Sequence, residues 1–513
     1  MTPNPSSASL GPRPIHEVAA TLGVPERFVI PYGRDKAKLD LALLDEPRQR
    51  PNPGRLVLVS AITPTPAGEG KTTTTIGLGQ ALARLGESVC LALREPSLGP
   101  CMGMKGGATG GGKSQLTPAD AINLHFTGDF HAVTSAHNLL AAMLDNRIHF
   151  DYPMKVDPRR VLWRRVIDMN DRSLRKTLIG LGGVNQGVPR EAGFDITASS
   201  EVMAMLCLAT GYEDLRARLD RTLVAFDFEG TPVTAKQINA TGAMLALLKD
   251  ALLPNLVQTI EGTPALVHGG PFANIAHGCN SVLATKMALH LADWTITEAG
   301  FAFDLGAEKF FDIKCASAGL DTAAVVLVAT VRALKMHGGV KKGDLGKPDP
   351  EAVRRGLPNL DKHIENIHHF TEVPVVALNR FGGDTEEELA VVRAYCESRH
   401  VPFAVASHFE QGGEGALELA RTVVTHAERV SRPFTPLYSW SDPVPQKILT
   451  VARKMYGARN MVLTPTAERD LKDVERLGYA ALPVCIAKTQ NSLSDDPTRL
   501  GRPEDFDITV RNV

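Results

Sequence analysis

The chain lacks an excess of charge of either sign. Across 513 residues, 56 Lys and Arg oppose 57 Asp and Glu, for a formal net charge of −1. A nucleic-acid binder, or a protein of acidic membrane surfaces, carries a basic footprint, and no such bias is present. Cysteine is scarce: seven residues, an odd number, scattered and without a CxxC pair. In a long chain that pattern speaks against a disulfide framework and for reduced, mostly buried thiols in a cytoplasmic protein. Long apolar runs are missing too, since stretches such as 323–329 are too short to span a bilayer. The opening MTPNPSSASLGPRP has neither the apolar core of a secretory signal nor the Arg-rich pattern of a transit peptide. The expectation is a protein with no membrane and no nucleic-acid partner.

What remains is ordinary globular material, 43% apolar and 22% charged, enough for two to four domains. Short apolar runs alternate with helical patterns. The runs 56–62 (LVLVSAI), 89–93, 265–268, 324–330, 373–378, 401–406 and 482–487 predict strands. Each is continuous rather than alternating, as in strands covered on both faces of a parallel sheet. Helical spacing recurs at 72–85, 386–399, 415–429, 444–456 and 466–477. The alternation predicts an α/β fold with a parallel sheet flanked by helices. Pro/Gly/charge-rich stretches at 341–350 and 432–445 read as boundaries between one large and two smaller α/β domains.

The strongest local signal is TPAGEGKT, comprising Thr65, Pro66, Ala67, Gly68, Glu69, Gly70, Lys71 and Thr72. It follows the strand 56–62 and opens the helix from 72, the context a phosphate-binding loop requires. Gly68 and Gly70 let backbone amides turn toward phosphate oxygens, and the helix N-terminus adds its positive end. Lys71 would reach the terminal phosphates, and the Thr72 hydroxyl would sit on Mg²⁺. Thr65 stands where the GxxxxGK[ST] pattern has glycine. The sequence NRFGGD at 379–384 follows a strand as a guanine-reading NKxD would. Its fourth residue is Gly382, and Asp384 comes two places late, so ATP is favoured over GTP.

Directly after the strand 89–93, Arg94 offers a fixed cation for a carboxylate or phosphate, with Glu95 beside it. The run 103–113 carries six glycines and two lysines, which suits close approach to a phosphorylated ligand or a mobile lid. His125, His131 and His137 are six apart, not the three or four that would share a helix face, so they read as structural or substrate-contacting rather than zinc ligands. Asp129 is placed to help hold a cation. Segments 268–281 (HGGPFANIAHGCNS) and 298–315 (EAGFAFDLGAEKFFDIKC) read as a glycine-rich loop bordering the site and as either site or scaffold.

Taken together, the strings TPTPAGEGKTTTT, LREPSLGP, INLHFTGD, HNLLAAM, LGAEK, VATVRALKMHGG and IAKTQNSLSDDPTRLGR resemble the formate–tetrahydrofolate ligase family from about residue 12 onward. The resemblance implies a reaction in which formate attacks the γ-phosphoryl group of MgATP to give formyl phosphate, and N10 of tetrahydrofolate then takes the formyl group. It implies that Lys71 and Arg94 are catalytic, with Arg94 holding formyl phosphate. Glu95 and Asp129 match carboxylates around a monovalent cation, K⁺ or NH₄⁺. Phe381 and Phe409 match a pair of aromatics that stack on the pterin. Relatives commonly have Trp at the second position, so Phe409 implies weaker folate binding. The resemblance also implies a cytoplasmic homotetramer and three parts: 1–345 for nucleotide and formate, 346–435 contributing to the folate site, and 436–513. Family members continue past the DITVRNV at which this chain stops with a segment rich in Met, Pro and Gly, so activity is expected to be more sensitive than the fold to this difference.

Overall fold

The computed structural model describes residues 12–51, 53–66, 68–103, 108–150, 154–371, 374–429 and 433–513. Its centre is one twisted sheet. In chain order its main strands are β1 (Val29–Pro31), β2 (Ala37–Leu39), β3 (Arg55–Ala61), β4 (Val89–Leu93), β5 (Asn255–Thr259), β6 (Pro264–Val267), β7 (Trp294–Glu298), β8 (Ala324–Ala329), β9 (Val375–Asn379) and β10 (Phe403–Ala406). They lie in the order β1-β2-β5-β6-β4-β7-β3-β8-β9-β10. From β6 to β10 every pairing is parallel, and the β1–β2–β5–β6 end is antiparallel. The fold is α/β with a largely parallel sheet between helices.

The continuous apolar runs find their cause in two cores. Leu56 and Leu58 of β3, with Val325, Leu327 and Ala329 of β8, point into one cluster. Val57, Val59 and Ala61, with Ala324, Val326 and Val328, point into the other. Alternate residues of a strand face opposite sides, so a strand covered twice must be apolar throughout. Helix α1 (Lys71–Arg84) lies in the second core through Ile76, Leu78, Ala81 and Leu82. Its buried threonines are tolerated because Thr74 and Thr75 each return a hydroxyl hydrogen bond of 2.9 Å to the carbonyl four residues back.

The strands β1, β2, β5 and β7 are not among those the sequence predicts, and one predicted strand is absent. The run 482–487 is not a strand. Its neighbourhood spends its backbone hydrogen bonds on side chains instead: Val484 N–H donates to Tyr438 Oη (3.2 Å), and Lys447 Nζ donates to the carbonyls of Ala480 and Leu482 (2.6 and 2.7 Å). Conversely β7, near the middle of the sheet, has no long apolar run to announce it. In WTITE the polar Thr295, Thr297 and Glu298 are buried, and Thr297 satisfies its hydroxyl on the Ala92 carbonyl at 2.8 Å.

Beyond Glu298, the segment 299–315 is built around a buried ionic network. Lys309 donates to the carbonyls of Ala273 and Ala276, and Lys314 to Asn280 Oδ1 and Thr285 Oγ1. Glu308 and Asp312, one helical turn apart, interact with each other in this apolar setting. Burial raises both carboxyls, with Asp312 pushed up to about 7. The folded chain therefore holds a proton that the unfolded chain, with an ordinary value of about 4, releases. Stability from this group is present at low pH and falls as pH rises between those values. In Asp312→Asn that titration is gone, while the amide oxygen can still accept from Leu437 N–H (2.8 Å in the parent). The urea midpoint of the variant is expected to gain on the parent as pH goes from about 5 to about 8. A gap that stays constant with pH would refute the assignment.

Candidate functional site

The carboxyl edge of the parallel strands gathers the expected residues. Thr65–Thr72 links β3 to α1, with Ala67 outside the described residues. Gly68 (φ 83°) and Gly70 (φ 73°) hold the left-handed backbone that bends the loop. Glu69 points inward. Its carboxylate accepts from Thr65 N–H at 2.7 Å and from the Thr330 hydroxyl at the end of β8, and burial raises its pKa. Asn379, the last residue of β9, donates from Nδ2 to the Glu69 carbonyl at 3.1 Å. A Cβ at position 70 would come within 2.5 Å of that amide nitrogen and displace it, and the positive φ of 73° disfavours any side chain there. The loop is thus shaped from three strands, only one of which precedes it in sequence.

Arg94 follows β4, and Glu298 ends β7, the strand lying between β4 and β3. Glu298 Oε2 accepts from Thr72 Oγ1 at 2.8 Å, and Glu298 Oε1 lies 3.5 Å from Arg94 Nη2. The structure therefore brings Thr72 and Arg94 together through a buried carboxylate that sequence reasoning left unassigned. Arg94 Nη1 reaches the Pro271 carbonyl at 3.5 Å, while its buried Nε–H has no partner among the described residues. That orphan donor is the feature an anion would satisfy.

Glu95 and Asp129 also come together, in company that carried no motif. Asp129 opens helix α2 (Asp129–His149), where the helix dipole favours a negative charge. Lys38 of β2, fully buried, donates to Asp129 Oδ1 (2.8 Å), Asn255 Oδ1 (2.9 Å) and the Leu253 carbonyl (3.1 Å). Asn255 donates back to Asp129 Oδ2 at 2.7 Å. Glu95 is buried with Oε2 unpartnered, and burial and then the Asp129 charge raise its pKa well above the ordinary value. Two buried carboxylates thus face one ammonium. Lys38→Met would leave Asp129 without its cation, at a cost of about 3–5 kcal/mol. Urea unfolding is expected to shift accordingly, and a loss below about 1 kcal/mol would contradict the pairing.

Phe381 and Phe409 follow adjacent strands, β9 and β10, at the same edge. The Arg332 guanidinium lies 4.5 Å over the Phe381 ring. Asp384, the displaced acid of NRFGGD, accepts from Phe381 N–H at 2.8 Å and so closes this turn. Phe409 is 52% exposed and borders Gly111 and Gly112, where any Cβ would strike it. Its carbonyl accepts from Lys113 N–H at 2.8 Å, which anchors the described end of the glycine-rich run. Residues Met104, Lys105, Gly106 and Gly107 lie outside the described set. The histidines are held by neighbouring groups. His125 and His131 bond each other at 2.8 Å, and His137 lies between Ser200 Oγ and the Arg164 carbonyl, stacked on Trp163. His268 is held by Ser281 and the Ala251 carbonyl, with its pKa lowered to about 4 by burial.

The class these features define is an α/β protein with a glycine-turned strand–loop–helix unit at the carboxyl edge of a parallel sheet, flanked by an arginine with an unsatisfied donor. Residues 6–513 match the sequence profile described as formate–tetrahydrofolate ligase, and the chain belongs to that family. It is 56% identical over 500 residues to the formate–tetrahydrofolate ligase of Paracoccus denitrificans (strain Pd 1222), covering 98% of this chain and 90% of the relative. The match to the enzyme of that name from Hyphomonas neptunium (strain ATCC 15444) is 56% over 501 residues, with the same coverage.

Proposed function

We propose that the chain ligates formate to tetrahydrofolate with consumption of ATP, giving 10-formyltetrahydrofolate, ADP and phosphate. The observation that carries this reading is Arg94, tied through Glu298 to Thr72 of the loop while its Nε–H remains unsatisfied in a buried wall. An anion beside Arg94 lies next to the phosphates of a nucleotide held by the loop. A formate oxygen then bonds to the γ-phosphorus as the bond to ADP breaks, giving formyl phosphate. The N10 amine of tetrahydrofolate adds to the formyl carbon, phosphate leaves, and N10 loses its proton.

Phosphoryl transfer needs positioning and charge neutralisation more than covalent help. Lys71 and the loop of Thr65, Pro66, Ala67, Gly68, Glu69, Gly70 and Thr72 serve the phosphates. Pro66 has no N–H to donate and the Thr65 N–H is committed to Glu69, so the amides that donate are those of Glu69, Gly70 and Thr72. Bound with ATP, Mg²⁺ neutralises charge on the β- and γ-phosphates, and the Thr72 hydroxyl is the oxygen of the loop suited to hold it. A monovalent cation suits Glu95 and Asp129: Lys38 supplies one positive charge to two carboxylates, and Glu95 Oε2 has no partner. Phe381 and Phe409 offer ring faces for the pterin.

The working division is 1–345 for nucleotide and formate, 346–435 for the folate side and 436–513 as a C-terminal part. The last has its own small cluster of Val444, Ile448 and Leu471. Assembly as a homotetramer is supported by the hairpin Thr177–Ile179 and Arg190–Ala192. It exposes Leu178, Leu181 and Val184, the last 87% open to solvent. Among the described residues no helix is long and apolar enough to cross a membrane, and we place the protein in the cytoplasm. The deciding experiment incubates the protein with MgATP, formate and tetrahydrofolate in potassium buffer and measures 10-formyltetrahydrofolate. A folded protein that forms none would overturn the reading.

A further inference from the structure

Glu298 is the buried charge at the site that the reaction scheme leaves without a task. It is 4% exposed at the carboxyl end of β7, the strand beside the loop-bearing β3. A carboxylate has about four acceptor positions. Glu298 fills one with the Thr72 hydroxyl at 2.8 Å, and its cation neighbour, Arg94, stands off at 3.5 Å. Removing a carboxylate from water costs several kcal/mol unless it is paired closely, and 3.5 Å to Arg94 is not a close pair. Its position explains the arrangement. In nucleotide-binding loops of this type the metal is held by the loop hydroxyl together with a carboxylate from a separate strand. Glu298 is hydrogen-bonded to that hydroxyl.

We infer that Glu298 is the protein carboxylate that holds the nucleotide's divalent cation together with Thr72, and that it restrains Arg94 until the cation is bound. The inference rests on the MgATP reading above. Without the cation, Glu298 divides its charge between Thr72 and Arg94. A divalent ion drawing on the same carboxylate weakens its hold on the guanidinium, which turns more fully to the formate anion. Metal binding and formate binding are then coupled, and coupling is reciprocal.

The test measures ADP binding by calorimetry in EDTA and across a Mg²⁺ titration, with the full chain and Glu298→Gln. The parent is expected to bind ADP in both conditions, more tightly with Mg²⁺. Glu298→Gln is expected to bind ADP in EDTA within about twofold of the parent. Its Mg²⁺ requirement should rise about 10–100-fold, the loss usual when a carboxylate supporting a metal site is removed. The formate affinity of the parent with ADP present should rise with Mg²⁺, and that rise should be absent in the variant. An unchanged Mg²⁺ requirement overturns the inference. So does an equal loss of ADP affinity with and without metal, which would make Glu298 a support of the loop alone. If Glu298→Gln does not fold, Glu298→Ala, which also removes the carboxylate, takes its place, and the same shift in Mg²⁺ requirement decides. A parent that binds no ADP in either condition defeats the nucleotide reading itself, a result distinct from failure at Glu298.

Discussion

Lys71→Ala is expected to reduce formate-dependent ADP release by at least about 10³-fold while leaving the urea midpoint within about 1 kcal/mol of the parent. Lys71 is the first residue of α1, directly after the left-handed Gly70. Its charge reaches Glu69, where it is the smallest of the influences on that carboxyl. The shape of the loop therefore depends little on it: Glu69 is fixed by Thr65, Thr330 and Asn379. In the proposed reaction Lys71 meets the charge that builds on the transferring phosphoryl group. Such cations act where water is excluded and are worth several kcal/mol of barrier. Turnover measured as ADP formed at saturating MgATP and formate checks this. Activity within tenfold of the parent would remove Lys71 from the chemistry.

Arg94→Ala is expected to cost about 10²–10³-fold in turnover and to raise the formate KM. Arg94→Lys should recover little. A guanidinium presents a rigid fork to a carboxylate or phosphate, and the orphan Nε–H belongs to that fork; an ammonium cannot reproduce it. The Arg94 side chain is 23% exposed and only 3.5 Å from Glu298, so its removal should change stability little. ADP binding in the absence of formate should also persist, which separates loss of the anion site from loss of the loop. Full activity in Arg94→Lys would show that charge alone suffices and that the fork geometry is irrelevant.

The difference between what could and could not be read from the chain follows from distance along it. Residues 65–72 lie between an apolar strand and a helix, so the string is legible from its own flanks, although Thr330 and Asn379, far along the chain, also hold it. The glycines needed for φ 83° and 73° stand in the string itself. Arg94 is legible for the same reason, as the first residue past a strand end. β7 escaped because burial there falls on threonines and a glutamate, and the partners of Thr297 and Glu298 lie about 200 residues away along the chain. The run 482–487 was over-read because an apolar string does not state whether its amides meet another strand or the side chains of Tyr438 and Lys447.

The sequence by itself determined the parallel-sheet class, since strands covered on both faces must be apolar throughout. It also determined the phosphate-loop string and the family resemblance that the profile match bears out. Only the tertiary structure decided how these pieces are wired. Thr72 meets Glu298 across 226 residues, and Asp129 meets Lys38 across 91. Such pairs follow no period or spacing rule. They exist because the strand order β2-β5-β6-β4-β7-β3 sets distant segments side by side, and because a buried charge must find its partner wherever the fold places one.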